Sequence, residues 1–169
     1  MPTVYIAMGT NLGDRQANLR AARRQLDSLP QTQLLRVSPI HETAAVGGPA
    51  DQGPYLNAVA ELHTDLPPRV LLDHLHEIER ALGRPPREQR PRWGPRELDL
   101  DILLYDELVL DEPGLSIPHP RMHQRRFVLE PLAQLSGRLV HPVLGRTVEQ
   151  LLKAAALPEH TNENQPADS

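Results

Sequence analysis

Apolar and polar residues alternate along three segments of the chain, which are therefore predicted to be strands. An apolar residue stands at every second position in residues 3–8 and 55–63, and residues 98–105 begin with the same pattern. A period of two is typical of a strand with one buried face, because successive side chains point to opposite sides. Residues 34–43 are also predicted to be extended, with an edge position or a bend at Pro39.

Apolar residues recur every three or four positions in the segments that separate and follow these strands, and this spacing predicts helices. Asp14 is expected to cap the first helix, and Pro131 is expected to end or kink the third. The second helix is expected to bury a stripe formed by Val70, Leu71, Leu75, Ile78 and Leu82. Four helices over about 14–28, 68–82, 120–131 and 147–156, a turn at 9–13 and a short strand at 107–110 complete the prediction.

The order strand, helix, strand, strand, helix, strand is typical of a ferredoxin-like α+β sandwich. Strands that follow one another without an intervening helix favour antiparallel pairing over a doubly wound parallel fold. We therefore expect a mainly antiparallel sheet with helices on its faces and extra helices toward the C-terminus. Residues 1–156 are expected to form one domain, because 169 residues would crowd a second. The polar residues 157–169 are expected to be a disordered tail.

Composition excludes several classes of site. The chain has no cysteine, which excludes disulfides, thiolate zinc sites and thiol nucleophiles. Its net charge of −4 argues against a general nucleic-acid coat. No segment approaches the ~20 apolar residues of a membrane span, and the first residues lack the basic region of a signal peptide. A cytoplasmic protein with neither a membrane nor a nucleic-acid partner is therefore expected.

Arginine supplies almost all of the basic side chains, since Lys153 is the single lysine among 18 basic residues. A P-loop needs the triplet Gly-Lys-Ser/Thr, which this chain does not contain. Any phosphate group would therefore be held by arginine, backbone amides and metal.

Asp99 and Asp101 lie two positions apart in the predicted strand 98–105. In a strand they share a face, with their side chains roughly 7 Å apart, while the apolar residues around them point into the core. Neighbouring carboxylates repel each other unless a cation lies close by. Mg²⁺ typically binds one or two carboxylates together with water and phosphate oxygens. Taken alone, the pair is more typical of the solvated face of an amphipathic strand, and only its flanking residues favour a metal site.

A loop rich in arginine and proline precedes this strand and contains Trp93. Arginine side chains bind phosphate oxygens through paired hydrogen bonds, and prolines keep the segment from pairing with the sheet. Beside two carboxylates, this composition favours a metal–triphosphate site over a merely solvated basic loop or a loop that contacts RNA. The arginines are Arg84, Arg87, Arg90, Arg92 and Arg96.

The segment from Arg92 to Leu103, Arg-Trp-Gly-Pro-Arg-Glu-Leu-Asp-Leu-Asp-Ile-Leu, closely resembles the signature of the 6-hydroxymethyl-7,8-dihydropterin pyrophosphokinase family of folate biosynthesis. Other segments match the motifs of that family in the same order, and the resemblance covers about residues 3–152. They are Gly9-Thr10-Asn11-Leu12-Gly13, Tyr55-Leu56-Asn57-Ala58, and Pro118-His119-Pro120-Arg121-Met122 followed by Arg125 and Phe127.

This resemblance implies an ATP-dependent diphosphotransferase, which transfers pyrophosphate from ATP to the hydroxymethyl group of the pterin and releases AMP. It also implies a monomer with two Mg²⁺ ions at Asp99 and Asp101, which together with Arg84 and Arg96 form the expected catalytic set. The residues expected to bind nucleotide are His76, Glu79, Arg84, Arg92, Trp93, Arg96, Ile102, His119 and Arg125.

The same resemblance implies a pterin pocket. The flat pterin is expected to lie between the rings of Tyr55 and Phe127 and to form hydrogen bonds with the Asn57 amide. The expected pterin-binding residues are Thr43, Ala44, Val46, Tyr55, Asn57 and Phe127. The chain departs from the family at His76, where glutamine is expected, and at Gly114, where some members carry arginine.

Two other functions use the same features. An RNA-binding module on the same sandwich would need a basic sheet face with exposed aromatic residues, and the chain has neither a basic balance nor an RNP1-type segment. A different Mg²⁺-dependent nucleotidyl transferase or nuclease could use the same acidic pair, and its products would distinguish it.

Overall fold

The computed structural model describes residues 1–11, 14–43, 55–82 and 98–155, and the predicted tail at 157–169 lies outside this range. Each predicted strand and helix in these ranges has a counterpart in the structure. The strands are β1 (Thr3–Thr10), β2 (Thr32–Val37), β3 (His41–Thr43), β4 (Tyr55–Thr64), β5 (Asp99–Tyr105), β6 (Leu110–Glu112) and β7 (Leu115–Ile117). The helices are α1 (Arg15–Asp27), α2 (Pro68–Ala81), α3 (Arg126–Ser136) and α4 (Val148–Ala154), with a 3₁₀ turn at Met122–Gln124.

The main sheet has the strand order β2-β4-β1-β5, and β3 pairs with β4. Each pairing is antiparallel, so the predicted ferredoxin-like α+β class is confirmed. The predicted break at Pro39 is also present, because this residue lies between β2 and β3. Both of these strands pair with β4, β2 along its second half and β3 along its first half.

Helices cover the sheet on both sides, and we name its faces after them. The first face packs against α1 and α2, and its buried residues include Val4, Ile6 and Met8 of β1. The second face packs against α3 and α4, and its buried residues include Tyr5 and Val59. Within the described residues, none of the helices has the length and hydropathy needed to cross a membrane.

The first two helices follow the sequence closely. The Asp14 carboxylate accepts the Ala17 N–H at 3.0 Å and caps α1, as predicted. In α2, however, Val70 is 40% exposed, whereas Leu72 is buried. The buried side of the helix includes Leu72 and Glu79, so the stripe is rotated relative to the predicted one. The assignment of Val70 to the core is therefore wrong.

Three other local expectations need correction. β1 continues through Gly9 and Thr10, which the sequence placed in a turn, because both residues still pair with β4. The short strand predicted at 107–110 is instead a hairpin of β6 and β7, which turns at Gly114 with φ of 79°. α3 begins at Arg126, six residues after the predicted start at Pro120, and Pro131 lies inside the helix, where its missing N–H removes one helical hydrogen bond and its ring is buried.

The C-terminal helix begins at a capping box. The Thr147 hydroxyl accepts the Gln150 N–H at 3.1 Å, and the Gln150 side chain accepts the Thr147 N–H at 2.9 Å. α4 then packs against α3 on the second face through Val148 and Leu151. Together these helices cover one end of that face, and the other end carries the polar residues considered next.

Candidate active site

The register of three strands places polar residues of the second face in one row. Gly9 of β1 pairs with Asn57 of β4 on one side and with Asp99 of β5 on the other. Neighbouring strands lie about 4.8 Å apart, so the backbones of Asn57 and Asp99 are about 10 Å apart. Glycine has no side chain, so an amide and a carboxylate flank a small residue here, and the Asn57 amide oxygen lies close to the place that a β-carbon would occupy.

Asp101 occupies the adjacent row, where it pairs with Ala7. Along β5, Leu98, Leu100 and Ile102 are at most 4% exposed, whereas Asp99 is partly exposed and Asp101 is exposed. This alternation places the two carboxylates on the second face, as the period of two requires. They lie where the apolar cover of α3 and α4 ends.

The orientation of the Asn57 amide is fixed by β3. Its Nδ2 donates a hydrogen bond to the Thr43 hydroxyl at 2.7 Å, and the residue is only 7% exposed. The Oδ1 atom lies on the side of Gly9, since a Cβ atom added to that glycine would be 3.3 Å from it. Tyr55 pairs with Thr43, and its Cδ1 would lie 4.0 Å from the same Cβ. Three of the predicted pterin-binding residues are thus neighbours around Gly9.

His119 lies beside β5, after β7, and its backbone N–H donates to the Leu103 carbonyl at 2.9 Å. The ring Nδ1 accepts the Arg121 N–H at 3.1 Å. Burial, together with the positive charges of Arg125 and Arg121, lowers the pKa of His119 to about 4. The imidazole is therefore neutral near pH 7. With Nδ1 accepting, its proton resides on Nε2, which is a hydrogen-bond donor.

Arg125 and Phe127 form a pair at the start of α3. The guanidinium carbon of Arg125 lies 5.6 Å from the centre of the Phe127 ring, a distance typical of a cation–π contact. Phe127 also packs against the apolar cluster of the second face. The segment from His119 to Phe127 thus places a neutral donor, a cation and an aromatic ring close together in sequence beside the second face.

Glu79 is buried between α2 and β5, with 4% of its surface exposed. Its Oε2 accepts the Leu100 N–H at 2.8 Å. Leu100 separates the two aspartates, so this hydrogen bond holds the backbone of β5 at the point where both carboxylates begin. The sequence predicted a nucleotide contact for Glu79 and missed this contact with β5. The only signal for it is an acidic residue beside the apolar stripe of α2.

Two other predicted nucleotide residues lie near this interface. His76 is exposed on α2, and the Ile102 side chain is buried in the first-face core, so that only its backbone is available to a ligand at the β5 edge. Six predicted site residues lie outside the described part of the chain. They are Ala44, Val46, Arg84, Arg92, Trp93 and Arg96.

The described residues contain no group of three or more His, Cys, Asp or Glu side chains that could hold a metal ion. Within the part of the chain that the structure describes, Asp99 and Asp101 offer a pair of carboxylates on one face of β5. Such a pair suits Mg²⁺, which keeps several positions for water and phosphate oxygens, better than a metal that needs a complete protein cage. The residues present fit a metal ion that is bound jointly with a phosphate ligand.

Two open cavities lie elsewhere on the described surface. One, of about 660 Å³, lies beside α3 and α4 and is lined in part by His41, Arg126 and Glu130. The other, of about 480 Å³, lies at the start of α1. Neither is lined by a predicted site residue, so cavity volume alone does not locate the chemistry in this part of the chain.

Comparison with protein families gives a match over residues 5–137 to the family described as 7,8-dihydro-6-hydroxymethylpterin-pyrophosphokinase. Two relatives carry the name 2-amino-4-hydroxy-6-hydroxymethyldihydropteridine pyrophosphokinase. The protein from Pseudomonas aeruginosa is 46% identical, over 89% of this chain and 90% of its own length. The protein from Haemophilus influenzae is 43% identical, over 84% of this chain and 86% of its own length.

Solved structures show the same fold at much lower identity. A Plasmodium falciparum HPPK-DHPS chain with pterin and p-hydroxybenzoate matches with a TM-score of 0.70 at 15% identity, over 90% of this chain and 41% of its own length. Another HPPK-DHPS chain, in complex with substrates, matches with a TM-score of 0.69 at 11% identity, over 91% and 45%. The present chain thus spans less than half of these longer proteins, and the likeness supports the fold alone.

Proposed function

This chain belongs to the 7,8-dihydro-6-hydroxymethylpterin-pyrophosphokinase family, and we propose that its second face carries out the reaction of that family. The enzyme transfers pyrophosphate from ATP to the hydroxymethyl group of 6-hydroxymethyl-7,8-dihydropterin, a step of folate biosynthesis. The observation that carries the assignment to this site is the row Asn57, Gly9 and Asp99. It places a group that can read a heterocycle about 10 Å from a group that can hold a metal–phosphate complex.

The transfer joins the hydroxymethyl oxygen to the β-phosphorus of ATP. The bond between that phosphorus and the oxygen bridging it to the α-phosphate breaks, AMP leaves with the bonding electrons, and the hydroxyl proton passes to solvent. The protein has little covalent work in such a reaction, and catalysis depends on positioning and charge stabilisation. A site in which two binding groups lie on either side of a small glycine residue suits this requirement.

The pterin occupies the Asn57 side of the row. The Asn57 amide has its orientation fixed by Thr43 and hydrogen-bonds to the edge of the heterocycle. Tyr55 and Phe127 supply the aromatic surfaces on which a flat ring stacks. Ala44 and Val46 are expected to complete this pocket.

The nucleotide occupies the Asp99 side. Asp99 and Asp101 hold Mg²⁺ there, and we propose two ions. When bound, these ions neutralise and orient the phosphate oxygens. His119 donates a hydrogen bond from Nε2, and Arg125 adds positive charge toward the same phosphates. Contacts from His76, Glu79, Arg84, Arg92, Trp93, Arg96 and the Ile102 backbone remain predictions.

Product analysis tests this function. The purified protein, given Mg²⁺, ATP and the reduced hydroxymethylpterin, should produce AMP in amounts equal to the pterin diphosphate formed, measured by chromatography. A pterin with a methyl group in place of the hydroxymethyl group is the matched control and should give no AMP, because it lacks the attacking oxygen. ADP as the only product, or AMP formed equally with both pterins, would contradict the proposal.

Two further points need separate measurements. Electron paramagnetic resonance with Mn²⁺ and a non-hydrolysable ATP analogue should count two bound ions per chain, and a single bound ion would contradict that number. The monomeric state and the cytoplasmic location stay predictions. Light scattering of the purified protein would check the first, and fractionation of cells the second.

A further inference from the structure

His41 connects β3 with α3 on the second face. Its Nε2 lies 2.5 Å from the Oε1 of Gln134, and its Nδ1 lies 3.6 Å from a carboxylate oxygen of Glu130. Glu130 and Gln134 are one helical turn apart, so the imidazole lies along one turn of α3. The ring is 24% exposed, which leaves most of it enclosed between the strand and the helix.

The strand that carries His41 is short, and besides its pairing with β4 it has an ion pair from Glu42 to Arg15 of α1, at 3.6 Å and partly exposed to solvent. β3 has only three residues, and it pairs with β4 on one side. A short edge strand of this kind is at the low end of local stability, because few hydrogen bonds must break for it to separate. Yet this strand carries Thr43, whose hydroxyl fixes the Asn57 amide. A side-chain contact from His41 to a helix therefore bears directly on the pterin side of the site.

The helix that receives His41 carries the other wall of that side. Phe127 lies at the start of α3, one turn before Glu130. This turn is also linked to α4 through Arg126. The Arg126 guanidinium donates one hydrogen bond to Glu130 at 3.1 Å and another to the Leu152 carbonyl of α4 at 3.1 Å. At the far end of α3, the Ser136 hydroxyl contacts the Tyr5 hydroxyl at 3.0 Å. The helix is thus anchored at both ends, and His41 attaches the short edge strand β3 to it between these anchors.

We propose that His41 is a positioning residue for the pterin: its contacts with α3 fix the separation between the Asn57 side chain and the Phe127 ring. The proposal rests on the proposed function, since it assigns these two groups to the pterin. His41 itself touches neither substrate. It acts through β3 on one side and through α3 on the other.

The expected effect is on pterin binding, because the Asp99 side of the row does not depend on β3. In His41→Ala, the loss of the hydrogen bond to Gln134 should raise the KM for the pterin about tenfold. The kcat and the KM for ATP should change less than about twofold, as for the loss of uniform binding. His41→Gln keeps a donor within reach of Gln134 and should hold the KM for the pterin within about twofold of the original protein.

A matched control lies on the opposite face. His74 of α2 is exposed to a similar extent, 29%, and its Nδ1 lies 4.0 Å from a Glu77 carboxylate oxygen. His74→Ala removes a comparable ring without touching β3 or α3, and it should leave both KM values unchanged. An equal rise in the pterin KM for His41→Ala and His74→Ala would overturn the proposal, as would equal effects of His41→Ala and His41→Gln.

A double-mutant cycle tests the contact from the helix side. Gln134 is exposed, so Gln134→Ala keeps the fold even if His41→Ala does not. Gln134→Ala should raise the pterin KM by about the same factor as His41→Ala, and the double variant by no more than either alone. Multiplicative effects would show that the two residues act independently and would refute the positioning role.

Amide hydrogen exchange separates this proposal from the proposed function. The β3 amides should exchange faster in His41→Ala than in His74→Ala, and this readout needs no substrate. Unchanged exchange would overturn the role of His41 whatever the activity. Failure of the original protein to form AMP would overturn the proposed function, while the exchange measurement would still show whether His41 holds β3 to α3.

Discussion

The two faces of the central sheet use the same strands for different purposes. On the first face, the β1 side chains Val4, Ile6 and Met8 are all nearly fully buried. On the second face, the same strand carries Tyr5, Ala7 and Gly9, so that side-chain size decreases toward one end. The first face is therefore filled along its length, whereas the second is filled at one end and open at the other.

The neighbouring strands follow this division. At the covered end of the second face, Leu104 of β5 packs with α3 and α4. In the row of Ala7, Val59 of β4 is still buried, whereas Asp101 of β5 is exposed. At the open end, the same strands carry Asn57, Asp99 and Asp101. The candidate site thus lies where three paired strands bring polar residues together beyond the apolar cluster that α3 and α4 cover. Substitutions on the two faces should thus separate stability from activity.

The largest effect is expected at the open end. Asp99→Asn or Asp101→Asn removes a charge from the proposed Mg²⁺ site and should lower kcat by roughly a thousandfold or more. Both side chains are at least partly exposed, so the midpoint of thermal unfolding should change little. Measurement of AMP formation together with a thermal scan checks both statements.

Asp73→Asn is the matched control for these variants, because Asp73 is an exposed aspartate on α2 that lies on the first-face side. Its rate should remain within about twofold of the original. Undiminished turnover in Asp99→Asn and Asp101→Asn, or an equal loss of turnover in Asp73→Asn, would contradict the assignment of the activity to the second face.

The next effect belongs to the first face. Leu75 is fully buried in the cluster between α2 and the sheet. Leu75→Ala should lower the free energy of unfolding by about 3 kcal/mol, through lost burial and the cavity that remains. The KM values should not change, because the strands that carry the site keep their pairing. Urea denaturation gives the first quantity and steady-state kinetics the second.

Val70→Ala on the same helix is the control for this change, since Val70 is 40% exposed. Its effect on unfolding should stay below about 0.5 kcal/mol. If Leu75→Ala raised the pterin KM as well as lowering the free energy of unfolding, packing on the first face would also determine the geometry of the site.

The first face could be predicted from the sequence, because its alternation repeats in every long strand. What could not be predicted is where that pattern breaks. The β1–β5 register shifts between Tyr5 and Ile6, so Leu103 has no partner on β1 and both Leu103 and Leu104 join the second-face cluster. In α2, the choice between Val70 and Leu72 depends on how the helix is rotated against the sheet, which the period of the helix alone does not determine.

The candidate site divides in the same way. That Asp99 and Asp101 share a face follows from a local period of two. That Gly9 lies between Asn57 and Asp99 depends on the register of three strands, which pairs residues about 50 and 90 positions apart and is fixed by the whole sheet. The His41 contact is equally remote, since Gln134 lies 93 residues along the chain. Local patterns therefore predict single groups, and tertiary pairing decides which groups meet.

A smaller effect is the loss of folding stability at acidic pH that follows from the lowered pKa of His119. The pKa of His119 is about 4 in the folded protein and near 6.5 in an unfolded chain. Between these values the unfolded chain binds a proton that the folded protein does not, so stability rises with pH through this interval and is lost as pH falls. The loss between pH 7 and pH 4 should be about 2 kcal/mol, below the full shift because the ring is partly exposed.

His119→Gln removes the titrating group, and urea denaturation at both pH values measures the difference. The original protein should lose about 2 kcal/mol more than the variant over this interval. Burial also lowers the pKa of His141, but this residue is present in both proteins and its contribution cancels. Equal losses of stability in the two proteins would mean that folding does not lower the pKa of His119.

The smallest effect is expected at Gly9, where the second-face side chains of β1 are smallest. Gly9→Ala should increase the stability of the fold and weaken pterin binding. In Gly9→Ala, the new Cβ lies 3.3 Å from the Asn57 Oδ1, so the amide must move by a few tenths of an ångström. The pterin KM should rise about threefold to fivefold, since small displacements of a positioning group weaken binding. The free energy of unfolding should increase by about 0.5 kcal/mol, because alanine loses less backbone entropy than glycine in a strand. In an Asn57→Ala background the displaced amide is absent, and Gly9→Ala should then leave the KM unchanged while it still stabilises the fold. A further rise of the pterin KM in that background would mean that the new methyl group blocks the pterin directly. The small size of Gly9, and not its effect on the position of Asn57, would then be what the site requires.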